Sequence, residues 1–179
     1  MNMSSDELGT AGIRYAFDLL GFWTHHSQAN QALLFTNDDN IRGAICDRLT
    51  LPLASDQARI ALYPFTLEQA EPVFDTPLIA GCFRNRWSYR KLLHPLMPVY
   101  SLQSLQAVLQ RQGYALESLV GVYPPLFMVW WTLSVLAGTR LPSLHFQCEQ
   151  VAINYLATDR LPGLTFSYLI VFYARRLDT

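Results

Sequence analysis

The chain has 179 residues, of which 51% are hydrophobic and only 15% charged, against a usual charged share of roughly 25%. That length provides for one good core rather than two, and the apolar excess excludes an intrinsically disordered protein. A formal net charge of −1 and a pI of 6.4 argue against nucleic-acid binding, which favours a basic chain.

The charge is unevenly placed. Residues 1–75 carry ten acids and four bases, a net of −6, while residues 76–179 carry nine bases and four acids, a net of +5. Either the halves attract each other within the fold or the asymmetry orients a partner. Lys91 is the single lysine among thirteen bases. Arginine suits packed interfaces, and a GC-rich bacterial genome produces the same bias. Cys46, Cys82 and Cys148 are odd in number and far apart, which suggests reduced thiols rather than a disulfide framework. The opening MNMSSDELG lacks the apolar core of a secretory signal. The expected location is cytoplasmic, with a position peripheral to the inner membrane as a variant.

In chain order, Ser5 before Asp6 and Glu7 suits a helix start, and Leu8, Gly12, Tyr15, Leu19 and Phe22 step round one face. Asn37-Asp38-Asp39-Asn40 reads as a turn leading into a helix through Ile41, Ala44, Ile45, Arg48 and Leu49. Pro52, Pro64 and Pro72 then break the pattern, leaving room for a short strand near 59–63 and a brief helix after the capping-box spacing Thr66-x-x-Gln69. Thr76-Pro77 predicts a helix running to about Leu93. Ser101 caps a helix with Leu102, Leu105, Val108 and Leu109 on its inner stripe and Gly113 as its exit. Pro124-Pro125 open another that Gly138 closes, and Ser143 caps a third carrying Leu144, Cys148, Val151, Ala152 and Tyr155. The segment 164–177 fits both a strand, by its β-branched and aromatic content, and a helix; the absence of an obvious strand partner favours helix. The expected fold is mainly α, a single domain over 1–179 forming an irregular bundle of about seven helices.

Ser118–Thr139 is 22 residues without a charge, or roughly 33 Å as one helix, against about 30 Å of hydrocarbon. Pro124-Pro125 divides it, so a buried core helix is the better account and a membrane span the poorer one. Phe127, Trp130 and Trp131 also suit a membrane interface or a protein contact, since interfaces favour tryptophan.

No catalytic signature emerges. His145-x-x-Cys148 lacks the four ligands of a structural zinc site. Cysteine–histidine pairs drawn from His25, His26, His94 and His145 have no supporting motif. The acids Asp38, Asp39, Glu68 and Glu71 read as helix starts, and isolated glycines exclude a phosphate-cradling loop. No metal or cofactor is expected. The basic, aromatic segment around Arg84, Arg86, Arg90 and Lys91 forms a solvated face, docks an acidic protein surface or, against the pI of the chain, grips nucleic-acid phosphates. Arg84, Arg86, Arg90, Lys91, Phe127, Trp130 and Trp131 are therefore the expected partner-binding residues. Together these features predict a non-enzymatic cytoplasmic adaptor or accessory subunit that binds another protein, or itself, within a larger bacterial assembly such as a secretion apparatus. The alternatives are a ligand-binding protein or enzyme with an interhelical pocket lined by Tyr123, Trp130 and a histidine, and a membrane-associated protein.

Overall fold

A computed structural model describes residues 5–49, 52–53, 58–65, 74–85 and 100–177. Its centre is a six-stranded mixed sheet in the order β1-β2-β3-β6-β4-β5. The strands are β1 (Ala32–Leu34), β2 (Ile60–Pro64), β3 (Leu78–Arg84), β4 (Tyr114–Val122), β5 (Ala157–Thr158) and β6 (Leu169–Arg176). Six helices are present among the described residues: α1 (Ser5–His26), α2 (Asp39–Cys46), α3 (Leu102–Arg111), α4 (Pro125–Ala137), α5 (Pro142–Asn154) and α6 (Gly163–Phe166). The mainly helical bundle expected from the sequence is therefore wrong.

The reason is legible in the strands. β1, β2 and β3 pair in parallel, and parallel strands covered on both faces read as unbroken apolar runs. Side chains alternate between two cores. Ile60, Leu62, Leu78, Ala80, Cys82, Leu169, Val171 and Tyr173 face one, and Ala61, Tyr63, Ile79, Phe83, Ile170, Phe172 and Ala174 face the other. Since both faces are apolar, no polar beat marks the period of two, and periodicity alone does not separate such a strand from a buried helix. The expected helix from Thr76 to Leu93 is thus β3 as far as Arg84, its remainder lying outside the described residues. The tail is not helical either, because β6 finds partners on both sides, antiparallel to β3 and to β4. The segment read as a short strand near 59–63 holds β2. The Thr66–Gln69 capping box lies outside the described residues.

Helices cover both faces. The first core takes α1, α2, α4 and α5 through Phe17, Leu20, Ile45, Phe127 and Ala152; the second takes α3 and α6 through Leu105, Val108, Leu109 and Leu164. The buried face of α1 runs through Ala16, Phe17, Leu20 and Trp23, while Phe22 is exposed. That face is rotated from the expected stripe: α1 carries apolar residues on more than one side, and its packing against the sheet selects those that are buried. Local capping chemistry follows the sequence at Asp38 and Ser101 but not at Ser143, which lies inside α5 after Leu141, a residue with no side-chain cap. Asp38 Oδ1 accepts from the backbone N–H groups of Asn40 and Ile41 at 2.9 and 3.2 Å, Ser101 Oγ accepts from Ser104 N at 3.0 Å, and Gly113 follows α3 at φ 77°. The charge-free 118–139 run is split between β4 and α4. No described helix is long and apolar enough to cross a membrane.

Two features of the second core yield expected outcomes. Gly81 lies opposite Phe172 in the β3–β6 ladder, and a Cβ there would meet the Phe172 ring and the Tyr63 carbonyl oxygen at 2.7 Å each. Gly81→Ala should therefore cost about 1–3 kcal/mol by overpacking. Calorimetry should record a Tm lower by about 2–4 °C for each kcal/mol.

An aromatic chain also runs through this core: Phe35 stacks on Tyr63 at 4.7 Å, Tyr63 meets Phe74 at 5.1 Å, and Phe74 meets Tyr114 at 5.5 Å. Burial, then the neighbouring Tyr114 and Asp75, push the Tyr63 hydroxyl up to about 12. The folded chain thus holds this proton after the unfolded chain would release it. The associated stability is complete below about pH 10 and is lost as pH rises toward 12. In urea titrations across that window, Tyr63→Phe should lose less stability with rising pH than the parent chain.

Candidate functional site

Because β6 is antiparallel to both β3 and β4, the latter two run in the same direction. The carboxyl ends of β1, β2, β3 and β4 therefore open on one edge of the sheet. In open α/β sheets, ligands collect in the crevice outside the carboxyl ends of the strands. A cavity of about 300 Å³ lies at this edge. Ile13 and Phe17 of α1, Asn40 and Ile41 at the start of α2, Phe65 after β2, Arg84 at the end of β3, and Tyr168 and Leu169 at the start of β6 line it. Five separate stretches of sequence meet only because the topology brings their ends together.

Its chemistry is an apolar box with one cationic wall. The Arg84 guanidinium carbon stands 5.4 Å from the centroid of the Phe65 ring, within the range of a cation–π contact. Phe65 also meets Phe17 edge-on at 6.4 Å, which fixes the ring between the arginine and α1. Asn40 and Tyr168 add polar groups that can accept or donate hydrogen bonds. The amides at the start of α2 are already occupied by Asp38, so Arg84 is the fixed positive charge of the lining.

The wall is held by buried polar contacts. Asn85 is fully buried. Its Nδ2 donates to the carbonyls of Thr165 at 2.7 Å and Ser167 at 3.1 Å, and its backbone N–H donates to Tyr168 O at 2.9 Å. Through these bonds the end of β3, bearing Arg84, is tied to the turn that presents Tyr168. At the same edge Tyr123, at φ 55°, stacks toward Phe127 and Tyr168 with centroids 4.9 and 6.4 Å away. Its hydroxyl reaches the Gly12 N–H at 2.5 Å. A Cβ on Gly12 would lie 2.3 Å from the Tyr123 ring, so only glycine lets α1 approach the end of β4 this closely. Phe65, at φ 59°, is the second non-glycine residue held in the left-handed region at this edge. Such strain costs of order 1–3 kcal/mol and clusters at functional sites.

The sequence-derived candidates are scattered. Arg84 is in the cavity wall, while Arg86, Arg90 and Lys91 lie outside the described residues. Phe127 is buried in the first core, and Trp130 and Trp131 pack half-buried against it; neither of the two described cavities is lined by them. The interhelical pocket expected around Tyr123, Trp130 and a histidine is thus not one of these cavities. Among the described residues no group of three metal-ligating side chains occurs. No disulfide joins the three cysteines; Cys82 and Cys148 are buried and Cys46 is exposed. Asp38 serves as a helix cap. The described arginine–carboxylate pairs, Arg48–Asp18 and Arg175–Glu117, each lie within one half of the chain rather than between the halves.

His145 does more than the sequence suggests. Its Nδ1 lies 2.8 Å from the Ser134 carbonyl oxygen and 2.9 Å from Ser134 Oγ, and its Nε2 lies 4.0 Å from the buried Glu149. A carbonyl oxygen only accepts, so Nδ1 carries the proton and donates it. It is then unable to take a proton from Ser134 Oγ, and the trio acts as a strut between α4 and α5 rather than as an activated serine.

No family model matches the sequence, and no curated protein matches it. Solved structures with a similar arrangement exist. The plantazolicin methyltransferase BamL, solved with a desmethylplantazolicin analogue and SAH, is 10% identical, with 96% of this chain and 87% of that one covered and a TM-score of 0.44. A Galdieria sulphuraria protein described as a sarcosine dimethylglycine methyltransferase is 10% identical over 82% of this chain and 69% of its own, with a TM-score of 0.38. A Bacillus halodurans protein described as a methyltransferase is 12% identical over 83% of each chain, with a TM-score of 0.34. The helical contact body on which the adaptor reading stood is replaced by a sheet with a crevice at its edge. Both the adaptor and the inclination against an enzyme are accordingly withdrawn.

Removing the Asn85 amide should leave the Thr165 and Ser167 carbonyls without their donor. Asn85→Ala is expected to cost about 1–3 kcal/mol, measured by urea denaturation. Hydrogen exchange should rise in β6 near Tyr168 before it rises in α3, which packs on the opposite core.

Proposed function

We propose that this chain is a small-molecule enzyme whose substrate is an organic acid with an apolar or aromatic body, bound in the crevice at the carboxyl edge of β1, β2 and β3. The observation that carries this reading is the placement of Arg84 over Phe65 in an otherwise apolar cavity of about 300 Å³. Ligand sites are concave and mostly apolar, with a few convergent polar groups. Here Arg84 is the group that would meet a carboxylate or phosphate. Ile13, Phe17, Ile41 and Leu169 would cover the body of the ligand. The strained residues Phe65 and Tyr123 support catalysis over simple storage, because strain of this kind persists where geometry is set for a reaction.

An adenosyl cofactor of the kind bound in the BamL structure does not fit the first turn of this sheet. A nucleotide held at a first strand–helix turn relies on glycines for close backbone approach. The corresponding residues here are Phe35, Thr36, Asn37 and Asp38, with the first helical amides taken by Asp38.

The test is a thermal-shift and calorimetric screen of small aromatic and aliphatic carboxylates and phosphates, with S-adenosylhomocysteine as a separate arm. A supporting result is an acid that raises Tm, binds at least about tenfold more weakly to Arg84→Gln, and is excluded by Ile41→Trp, which fills the cavity while the fold is retained. Binding unaffected by both substitutions would place the ligand elsewhere. Tight binding of S-adenosylhomocysteine alone would overturn the organic-acid reading.

A further inference from the structure

α4 is apolar almost all round: between Pro125 and Ala137 it carries no charge, and its hydroxyl residues are Thr132 and Ser134. A helix of that composition is ordinarily buried on every side. Here the fully buried side is the one that bears Phe127, Ser134 and Ala137. On the other side Leu126, Val129, Leu133 and Leu136 are 55%, 53%, 44% and 75% exposed. Their spacing of three, four and three residues places them in one stripe, the a and d positions of a helix–helix seam.

At its Leu126 end the stripe runs into a second cavity of about 310 Å³, lined largely by apolar residues that include Leu126, Leu161 and Phe166. Leu161 and Phe166 are themselves 73% and 45% exposed. Together these six side chains expose on the order of 600 Å², the upper end of what a soluble monomer leaves in its largest apolar patch.

We infer that this stripe is the interface of a two-fold dimer in which α4 packs antiparallel against α4 of a second copy. The spacing itself supplies the argument. Three-four-three reads the same in both directions, so an antiparallel pair sets Leu126 against the partner's Leu136 and Val129 against the partner's Leu133. An isologous contact requires such a self-complementary patch. The most exposed residue, Leu136, then arrives at the partner's Leu126 end, where the apolar cavity stands open to receive it. Two such patches bury on the order of 1,200 Å², the lower edge of what a specific interface needs. A lipid surface is the poorer occupant, because helices that lie in a membrane interface carry Lys or Arg on their polar face and neither α4 nor α5 has either.

Analytical ultracentrifugation tests this. The full chain should show a monomer–dimer equilibrium, and Leu133→Asp should weaken it at least about 100-fold with an unchanged circular dichroism spectrum. Should Leu133→Asp fail to fold, Leu136→Glu serves, since its side chain is three-quarters exposed. In a Cys46→Ser background, chains carrying Val129→Cys and chains carrying Leu133→Cys should form a disulfide with each other on mild oxidation and not with themselves. A chain that stays monomeric at all concentrations overturns the inference. So does a dimer indifferent to both α4 substitutions, a Val129→Cys chain that links to itself, or a monomer that binds neutral phosphatidylcholine vesicles through α4.

Discussion

The whole arrangement depends on one strand, β6, lying antiparallel between β3 and β4. Its ladder to β3 runs from Leu169↔Arg84 to Arg175↔Leu78, and its ladder to β4 from Leu169↔Val122 to Arg176↔Tyr114. Without it the β1-β2-β3 block and the β4-β5 block would be separate sheets, each with an exposed edge. Residues 169–174 are buried throughout, since alternate side chains belong to opposite cores. Both cores therefore close only when the end of the chain has been placed. The same strand sets the site: with β3 and β4 flanking an antiparallel neighbour, their carboxyl ends come out beside the start of β6, and Tyr168 stands next to Arg84.

Where local chemistry decides structure, it is legible in the sequence. Asp38 and Ser101 are short oxygen acceptors placed to satisfy the first amides of α2 and α3, and Pro125 opens α4 at the position where its missing N–H costs nothing. These signals need no knowledge of the rest of the chain. The sheet does need it. Leu78–Phe83 and Leu169–Ala174 are apolar runs of six residues each, a length that suits strands better than helices. That length, together with the cluster of Ala, Ile, Val and aromatic residues, was the available clue. The clue was outweighed by Thr76-Pro77, a good helix start, and by the remoteness of every strand partner in the sequence. Tertiary pairing overrides a local preference whenever both faces of the strand can be buried.

The site is less legible still. Arg84 attracts notice as part of a basic segment, but the neighbours that give it meaning, Phe65, Phe17 and Ile41, are apolar residues of ordinary appearance from three other elements. Asn85 reads as one polar residue in a basic stretch, and its role as a buried tie to the 165–167 turn comes from contacts some eighty positions away. His145, three before Cys148, reads in the sequence as a residue on a helix face without a ligand set; in space it turns to Ser134 and Glu149.

The low charge content takes on a different meaning in this fold. A sheet covered on both faces consumes apolar residues in its strands and again in the helices above and below, and this accounts for Ile60–Pro64, Leu78–Phe83 and Leu169–Ala174. It does not account for α4, whose outer stripe lies beyond either core. Apolar surface that no core of the chain uses weakens solubility unless something covers it. The α4 stripe and the crevice at Arg84 are therefore separate demands on one sequence: the crevice sets apolar walls beside a guanidinium, as the proposed hold on a small acid requires, and the stripe carries no charge at all, as the proposed contact with another helix requires.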